Sequence, residues 1–443
     1  MSLGLAESIL EIALKKGADE GAVLVRRSEK CMLRFSNNTL DVVKSWISEE
    51  AEVYLGVEKK ALVVSLSRLD RETIERSIER VLKSAKYVEP CEDYAPLPSG
   101  EYSYPEIPET FDPRVAELEN PAELVEMAIS AALEEGAQRT AGTLSYGVEY
   151  KALATSTGLG GEDRGTRIRI SIRAFADRES SGHGVDVSRL LSKFDPERAG
   201  RDAGRYAKMA TNPVEGEEGV YDAVLSPLVV ANLLGDVAKI GASAFMVDAG
   251  ISFLTGKLGE RIASEILTVH DDGRLPNGPA STKFDDEGIP TRRTTIVERG
   301  VLKNYLHNTK TAKKFGVEST GNAGWIAPRP WNIVVEPGDY TLDEMVAEVD
   351  NGFLVTNNWY TRYQNYREGL FSTICRDALL KIERGEIVGA SKGLRISEKM
   401  LRLLSGVEGL TKERRQVQWW DAEVPVVAPF MLVRSVNFTK ARV

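Results

Sequence analysis

Apolar positions recur at helical spacing at the start of the chain and then change to strand-like spacing. Residues Leu5 to Lys16 place apolar side chains on one helical face, and Gly17 follows as a helix-ending residue. From Ala22 to Ser67, β-branched or alternating runs predict an antiparallel meander. Three polar dipeptides separate these runs: Asn37-Asn38, Glu49-Glu50 and Lys59-Lys60. Helical spacing returns from Arg71 to Ala85, so these segments together predict a first α+β lobe.

The middle of the chain combines an extended stretch with further helices and strands. Residues 87 to 120 are rich in proline and predict a connection packed over the surface. A helix is expected from Pro121 to about Glu135, and another from Pro196 to Ala210. Strands are expected near residues 143–150, 151–156 and 166–175. The run TGLGGEDRGT precedes one of these strands and not a helix, so it predicts a hairpin turn rather than a dinucleotide-binding loop.

The last part of the chain begins with a helix and continues as a strand-rich region. A short strand, Val220 to Leu225, precedes Ser226-Pro227, which is typical of a helix start. The apolar stripe from Val230 to Ile240 indicates a core helix. Beyond residue 251 the runs TTIVERGVLKNYL, with Arg299-Gly300 at its tip, PWNIVVEPGDY and ALLKIERGEIVG predict strands and turns. Helices are expected at Thr311–Phe315, Leu342–Val349 and Ser397–Leu404.

These patterns predict an α+β fold in which a smaller N-terminal α+β domain precedes a larger β-rich C-terminal domain. We assign residues 1–90 to the N-terminal lobe, 91–215 to a connecting segment and middle α/β region, and 216–443 to the β-rich domain. The 443 residues carry a net charge of -9, which opposes binding to nucleic acid. Three scattered cysteines and the lack of a leader or a long apolar stretch predict a protein of the cytoplasm that binds no membrane.

Several blocks of the sequence resemble the TldD/PmbA family, historically named as modulators of DNA gyrase. The blocks cover most of the chain and occur in the family's order: ISFLTGKLGERIAS (251–264), FDDEGIPTRRTTIVERGVLKNYLHNTKTAKKFG (284–316), ESTGNAG (318–324), RPWNIVVEPGDYTLDEM (329–345) and FSTICRDALLKIERGEIVG (371–389). The resemblance implies two related subunits that assemble around unfolded peptide. In that scheme a TldD-type subunit binds zinc, and a PmbA or TldE subunit shapes the chamber.

The zinc-binding motif that the resemblance implies for a TldD-type subunit is missing here. An HExxxH motif supplies two imidazoles to the metal and a glutamate that activates water, and a cysteine near the C-terminus is the third ligand. Ungapped counting from Ser252 places this window on residues 235–240, where Gly235, Asp236 and Ile240 stand in place of the motif residues. The cysteine position falls near Val417. We therefore expect no metal in this chain, zinc in a TldD-type partner, and Asp236 as a surface or capping residue.

Other residues offer weaker metal or nucleophile candidates. None of the three histidines, His183, His270 and His307, has HxxxH or HxH spacing. His270 with Asp271 and Asp272 could form a hard-cation loop, although a polar turn after a strand explains the same residues. The cluster Asp285-Asp286-Glu287 precedes Gly288-Ile289-Pro290 and predicts a turn. Cys375 is expected to be a buried, inert thiol.

The resemblance supports one main hypothesis and leaves two alternatives. In the main hypothesis the chain is the non-catalytic half of a peptidase heterodimer, and Thr320, Gly321 and Asn322 lie in a wall of the substrate chamber. The first alternative is an autonomous metallopeptidase with a displaced site near His270 or His307. The second is a protein-binding regulator of the gyrase-modulator type without enzymatic activity. Two copies of this chain could also pair as a homodimer when the HExxxH-bearing paralogue is absent.

Overall fold

Six antiparallel strands of the N-terminal half form one continuous sheet. The structure, a computed structural model, describes residues 3–441. The strands of this sheet are β1 (Glu20–Ser36), β2 (Thr39–Val57), β3 (Lys60–Leu66), β4 (Arg139–Thr155), β5 (Gly160–Phe175) and β6 (Ser181–Ser188). They follow the order β3-β2-β1-β4-β5-β6. Side chains alternate along each strand, so one face is apolar and the other is largely polar.

Helices cover the apolar face of this sheet. They are α1 (Leu3–Lys15), α2 (Arg71–Ser84), α3 (Pro113–Ala116), α4 (Pro121–Glu134) and α5 (Pro196–Met209), with single 3-10 turns at Ala85–Tyr87 and Leu191–Lys193. α1 and α2 bury Ile9 and Ile78 against the first three strands. α4 and α5 bury Ala128 and Ala203 against β4 and β5, where Ile170 lies in the same cluster. The polar face is thereby left to form the floor of a cleft.

The C-terminal region is built around a twelve-stranded mixed sheet. Its strands are β7 (Val214–Glu215), β8 (Gly219–Leu225), β9 (Val269–Asp272), β10 (Arg293–Glu298), β11 (Val301–Leu302), β12 (Ile333–Val335), β13 (Asn351–Asn365), β14 (Leu370–Glu383), β15 (Glu386–Lys392), β16 (Leu394–Lys399), β17 (Val407–Val417) and β18 (Val426–Lys440). The helices are α6 (Pro227–Asp236), continued by a π turn at Val237–Gly241, α7 (Ala244–Asp248), α8 (Thr309–Phe315), α9 (Leu342–Ala347) and α10 (Met400–Ser405). This architecture confirms the predicted α+β fold with a larger β-rich C-terminal part.

Most predicted elements of the N-terminal half are present, with longer strands than expected. The meander of β1, β2 and β3 is confirmed, and Asn37-Asn38 forms its first turn with both residues at positive φ. Glu49-Glu50 was wrongly expected to separate strands, because the pair lies inside β2 where it faces solvent. The two strands expected between residues 143 and 156 are one strand, β4. The predicted hairpin at the glycine-rich run is confirmed, although its turn is short and β5 begins at Gly160.

The C-terminal half needs three corrections. The helix predicted at Ser397–Leu404 begins only at Met400, because Ser397 belongs to β16 and pairs with Ser372 of β14. Ser226 precedes α6 as expected, but its hydroxyl donates to the carbonyl of Thr356 and does not cap the helix. PWNIVVEPGDY contributes β12, which lies between β9 and β18 and does not form a hairpin. The β10–β11 hairpin at Arg299-Gly300 is confirmed.

The N-terminal sheet takes strands from both sides of the boundary placed between residues 90 and 91. β1 pairs with β4 along its length, from Ala22 opposite Thr155 to Ser36 opposite Ala141. The proposed lobe and the middle region therefore share one sheet. No helix within residues 3–441 has the length and apolar character needed to cross a membrane.

Candidate functional site

A cleft of about 720 Å³ lies over the polar face of the N-terminal sheet. Its floor consists of side chains from the neighbouring strands β2, β1, β4 and β5. Residues that pair across these strands form rows of side chains on the polar face of the sheet. One row runs from Glu50 through Arg26 and Lys151 to Asp163. The opposite wall comes from the C-terminal region, with residues 279–282, Arg329 and Trp331. The cleft is thus formed where the two parts of the chain meet.

Positive charge dominates this cleft although the whole protein is acidic. Eight basic side chains line it against four acidic ones, in a chain whose net charge is -9. Some of the cations are paired: Arg26 with Glu52 and Asp286, and Arg329 with Asp286 at 2.7 Å. The other six have no carboxylate within ion-pair distance among the described residues. We name four of them the cationic cluster: Lys151, Arg167, Arg169 and Arg189. The cleft therefore holds uncompensated positive charge.

Burial destabilises the charged form of Lys151 and Arg189. Lys151 is 9% exposed, and its ammonium donates to Thr282 Oγ1 at 3.2 Å and to the carbonyl of Phe284 at 3.0 Å. Burial lowers the pKa of Lys151 to about 8, although Asp286 acts in the opposite direction. Arg189 donates only to backbone carbonyls, and burial lowers its pKa to about 10, with nearby Arg167 adding to the effect. Neutral partners satisfy these donors without neutralising their charge.

A second polar environment surrounds the end of α6. Asn232 Nδ2 contacts the side chain and carbonyl of Asp421, while its Oδ1 accepts from Thr361 at 2.6 Å. Asp236 follows one turn later and is half-buried. Burial raises the pKa of Asp236 to about 7, and Lys239 only partly offsets this. Asp236 keeps part of its side chain exposed, but it makes no capping hydrogen bond where α6 continues into the π turn.

The three histidines lie in separate surroundings. His183 is buried, and its ring nitrogens contact Ser171 at 2.9 Å and Asn357 at 3.0 Å. His270 contacts Thr295 and Glu336, and it lies within β9, not in the turn that was expected. His307 is buried beside Thr311. Within residues 3–441, no three His, Cys, Asp or Glu side chains are grouped as ligands for a metal ion.

Two family models match the chain in succession. The PmbA/TldA metallopeptidase central domain matches residues 111–211, and the PmbA/TldA metallopeptidase C-terminal domain matches residues 218–440. The chain belongs to the PmbA/TldD metallopeptidase family. This confirms the resemblance found in the sequence blocks and supports a peptidase-related role.

Relatives of this PmbA/TldD chain include metalloproteases of archaea and bacteria. A metalloprotease of Methanothermobacter thermautotrophicus is 31% identical over 308 residues, which is 66% of each chain. A metalloprotease of Methanocaldococcus jannaschii is 31% identical over 201 residues, and the chain spans only 44% of its length. The metalloprotease PmbA of Escherichia coli O157:H7 is 26% identical over 66% of each chain.

Solved structures share the fold over nearly the whole chain. TldE from Thermococcus kodakarensis superposes with a TM-score of 0.84 and 23% identity, covering 98% of this chain and 100% of that chain. A candidate modulator of a DNA gyrase from Thermotoga maritima gives a TM-score of 0.85 and 25% identity, covering 98% of this chain and 99% of that chain.

The window of α6 in this PmbA/TldD member does not fit a zinc ion. A Cβ on Gly235 would lie 3.4 Å from Val424 Cβ, so a larger side chain would meet the segment before β18. Ile240 packs against the main core, and Val417 is 1% exposed within it. Asp236 is the only one of these residues with a possible metal donor, whereas a catalytic zinc needs about three protein ligands.

The residues predicted to form a chamber wall are buried. Asn322 donates to Asp271 and to the carbonyl of Arg329, and the carbonyl of Gly321 accepts from Trp331 Nε1 at 2.8 Å. Thr320 Oγ1 accepts from the amide of His307 at 2.8 Å. Thr320, Gly321 and Asn322 are not among the residues that line the cleft, and their place in a chamber shared with a partner stays a prediction. They support the loop whose later residues, Arg329 and Trp331, do line it.

The acidic cluster forms a turn as predicted, but this turn is buried. Asp285 accepts from the amides of Glu287, Ile289 and Ala323, and burial raises its pKa. Glu287 accepts from Thr309, and burial together with Asp285 raises its pKa. Asp286 joins Arg26 of β1 to Arg329 beneath the cleft. The turn therefore connects the two parts of the chain.

Cys375 is a free thiol packed against the main core, as expected. Burial raises its pKa to about 12, which disfavours the reactive thiolate.

The cationic cluster was not predicted from the sequence. The alternation RIRISIR in β5 already places Arg167 and Arg169 on one strand face. The residues next to Lys151 and Arg189 in the sequence form no such alternating basic pattern, so nothing in the local sequence indicates that these two residues belong to the cluster.

Replacing Asp236 with asparagine should make stability less dependent on pH. The folded pKa of about 7 lies above the unfolded value of about 3.9, so the stability linked to this group is complete below pH 4 and is lost as the pH rises through 7. The wild type loses stability over this range, whereas asparagine does not titrate. We therefore expect the difference in the free energy of unfolding to shift by about 2 kcal/mol in favour of Asp236→Asn from pH 5 to pH 8. Urea unfolding followed by tryptophan fluorescence measures this gain. The exposed Glu265→Gln is the control, and a gain equal to that of the control would contradict the prediction.

Proposed function

We propose that this chain is the non-catalytic, PmbA/TldE-like half of a two-subunit metallopeptidase. A TldD-type paralogue with an HExxxH motif carries the zinc, and the cleft of this chain holds the unfolded peptide. One observation carries the proposal: the chain keeps the family fold, while Gly235, Ile240 and Val417 occupy the positions that ungapped counting assigns to the zinc ligands. Ile240 and Val417 pack in or against the hydrophobic core, and Gly235 has no side chain that could bind a metal. Simple exchange of one residue would therefore not create the metal site.

The edge of the N-terminal sheet beside the cleft supports a peptide-binding role. β3 pairs with β2 only over Ala51–Val57, so the part of β2 from Thr39 to Glu50 pairs with β1 alone in the described structure. Trp46 and Glu50 of this open segment also line the cleft. An extended peptide can add to such an edge through main-chain hydrogen bonds. The open edge and the cleft thus provide neighbouring surfaces for one extended substrate.

The alternative functions have less support from the described residues. An autonomous peptidase would require a displaced metal site, yet His270 and His307 are held by hydroxyl or carboxylate partners in separate surroundings. A regulator of the gyrase-modulator type would act through a protein surface, and no arrangement of side chains within residues 3–441 favours it. The peptidase-subunit role is therefore the one that we test.

The test is a comparison of three preparations against a fluorogenic unfolded peptide. We expect no cleavage by this chain alone and cleavage when it is co-expressed with the HExxxH-bearing paralogue from the same genome. A paralogue whose HExxxH glutamate is changed to glutamine is the matched control, and its mixture should be inactive because the general base is removed. Metal analysis should find zinc only with the paralogue.

The opposite results are equally clear. One zinc per chain in the isolated protein, together with cleavage that Glu336→Gln or His270→Ala abolishes, would show a displaced catalytic site. Failure of the two chains to co-purify, with no cleavage by the mixture, would also exclude the proposed heterodimer.

A further inference from the structure

The positive charges of the cleft form a line along β5. A Cβ on Gly165 would lie 1.8 Å from Arg189 Nη1, so the guanidinium of Arg189 lies directly over this glycine. Arg167 and Arg169 follow on the same face of the strand, opposite Gly147 and Ser145 of β4. A strand rises about 3.3 Å per residue, so successive charges are spaced by about 7 Å. Alternate side chains of an extended peptide have the same spacing.

The members of the cationic cluster differ in what they can offer a ligand. The donors of Arg189 are taken by the carbonyls of Gly278, Pro279, Ser281 and Thr110, so this residue contributes charge and not new hydrogen bonds. Arg167 has one side-chain hydrogen bond, to Gln418 at 3.3 Å. Within residues 3–441, Arg169 has no side-chain hydrogen bond. Within the cationic cluster, Arg167 and Arg169 therefore have the most donors available for a bound anion.

We infer that the cleft selects extended peptides that carry carboxylate groups, which bind to Arg167 and Arg169. Lys151 and Arg189 strengthen this binding through their positive charge. The inference rests on the proposed function, because it specifies which peptides a peptide-binding subunit prefers. A cleft lined by one sign of charge concentrates its field, and charge-assisted hydrogen bonds to arginine are stronger than neutral ones.

The other residues of the cleft favour a peptide over a nucleic acid. Glu50, Glu52, Glu149 and Asp163 line the same cleft and would repel a continuous phosphate backbone. Separate carboxylates on an extended chain can instead lie opposite the arginines and away from these acids. The open segment of β2 further offers main-chain groups, which suit a peptide backbone.

The experiment measures fluorescence anisotropy of labelled peptides with the complete chain. One peptide has glutamate at alternate positions and blocked ends, a second has glutamine at those positions, and a third is the glutamine peptide with a free C-terminus. We expect the glutamate peptide to bind about tenfold tighter than the blocked glutamine peptide, and this difference to shrink with added salt. A preference for the third peptide would identify the terminal carboxylate as the bound group and would equally support the inference.

Variants then locate the effect. Arg167→Gln/Arg169→Gln should remove the preference, whereas Arg178→Gln/Lys310→Gln, which removes two exposed charges elsewhere, should retain it. Thermal melts of both variants verify that they fold. Equal affinity for glutamate and glutamine peptides would overturn the inference, as would displacement of the peptide by a single-stranded oligonucleotide of the same charge. If neutral peptides bind equally well and the two-subunit mixture cleaves them, the preference for carboxylates is excluded but the proposed function is retained. If no peptide binds and the mixture is inactive, both are excluded.

Discussion

Replacing Asp377 with asparagine should destabilise the protein by about 3 kcal/mol at pH 7. Asp377 lies in β14 with a fully buried carboxylate, and it accepts from Arg173 Nε of β5 at 3.0 Å and from Ser181 Oγ of β6 at 2.8 Å. Asn357 of β13 donates to its second oxygen at 2.7 Å. One carboxylate thus joins the two sheets. Asparagine tolerates the positive φ of 57° at this position. The loss of stability would therefore come from removal of the negative charge and not from backbone strain.

The effect should decrease in acid. Burial alone would raise the pKa of Asp377, but Arg173, His183 and Asn357 outweigh burial and hold the pKa below its usual range. The stability from this group is therefore complete above the unfolded pKa of about 3.9 and is lost as the pH falls through the lower folded value. Urea unfolding at pH 7, 5 and 3.5 should show a constant difference between the first two and a smaller one at the last.

Glu179→Gln is the matched control for this prediction. Glu179 also connects the two sheets, through Lys392 of β15 at 2.7 Å, but both side chains are largely exposed. An exposed pair contributes little, so its loss should be within about 1 kcal/mol. Equal effects of the two substitutions would show that the burial of Asp377 does not determine its contribution.

A single methyl group on Gly184 should also destabilise the fold strongly. Gly184 lies in β6 beneath α5, where a Cβ would be 1.9 Å from the carbonyl oxygen of Ala199. Gly200 and Gly204 of α5 in turn allow close approach of α4, since their added Cβ atoms would lie 2.1 Å and 2.4 Å from carbonyls of that helix. The added methyl group would meet the backbone of α5, and α5 cannot shift away from β6 because it is packed closely against α4. We therefore expect Gly184→Ala to lower the free energy of unfolding by about 3 kcal/mol.

Gly389→Ala provides the comparison for Gly184→Ala. Gly389 also lies in a strand, β15, but an added Cβ there would have no neighbour within 4 Å. Thermal and urea unfolding should show almost no loss for Gly389→Ala. If Gly184→Ala unfolds at the same urea concentration as the wild type, then α5 can shift from β6 and the close packing is not essential.

The sequence determined the local structure because local structure depends on near neighbours. Gly17 takes a positive φ after α1, the dipeptides Asn37-Asn38 and Arg299-Gly300 form tight turns, and Asn308 and Thr341 begin α8 and α9 as side-chain caps. The lack of side-chain zinc ligands at Gly235 and Ile240 could also be read from the sequence alone, since neither residue type has a side-chain donor in any fold. The spacing of the family blocks likewise identified the fold class.

Only the tertiary structure decided which distant residues meet. The acidic turn at Asp285 has a polar local pattern, yet it is buried because β1 and the loop before β12 close over it. Lys151 lies in a cleft with Arg189 because β4, β5 and the chain after β6 lie side by side, although nothing near Lys151 in the sequence indicates a neighbouring cation. Periodicity tells which face of a strand a residue occupies. It does not tell what lies opposite that face, because this depends on pairing between strands far apart in the chain.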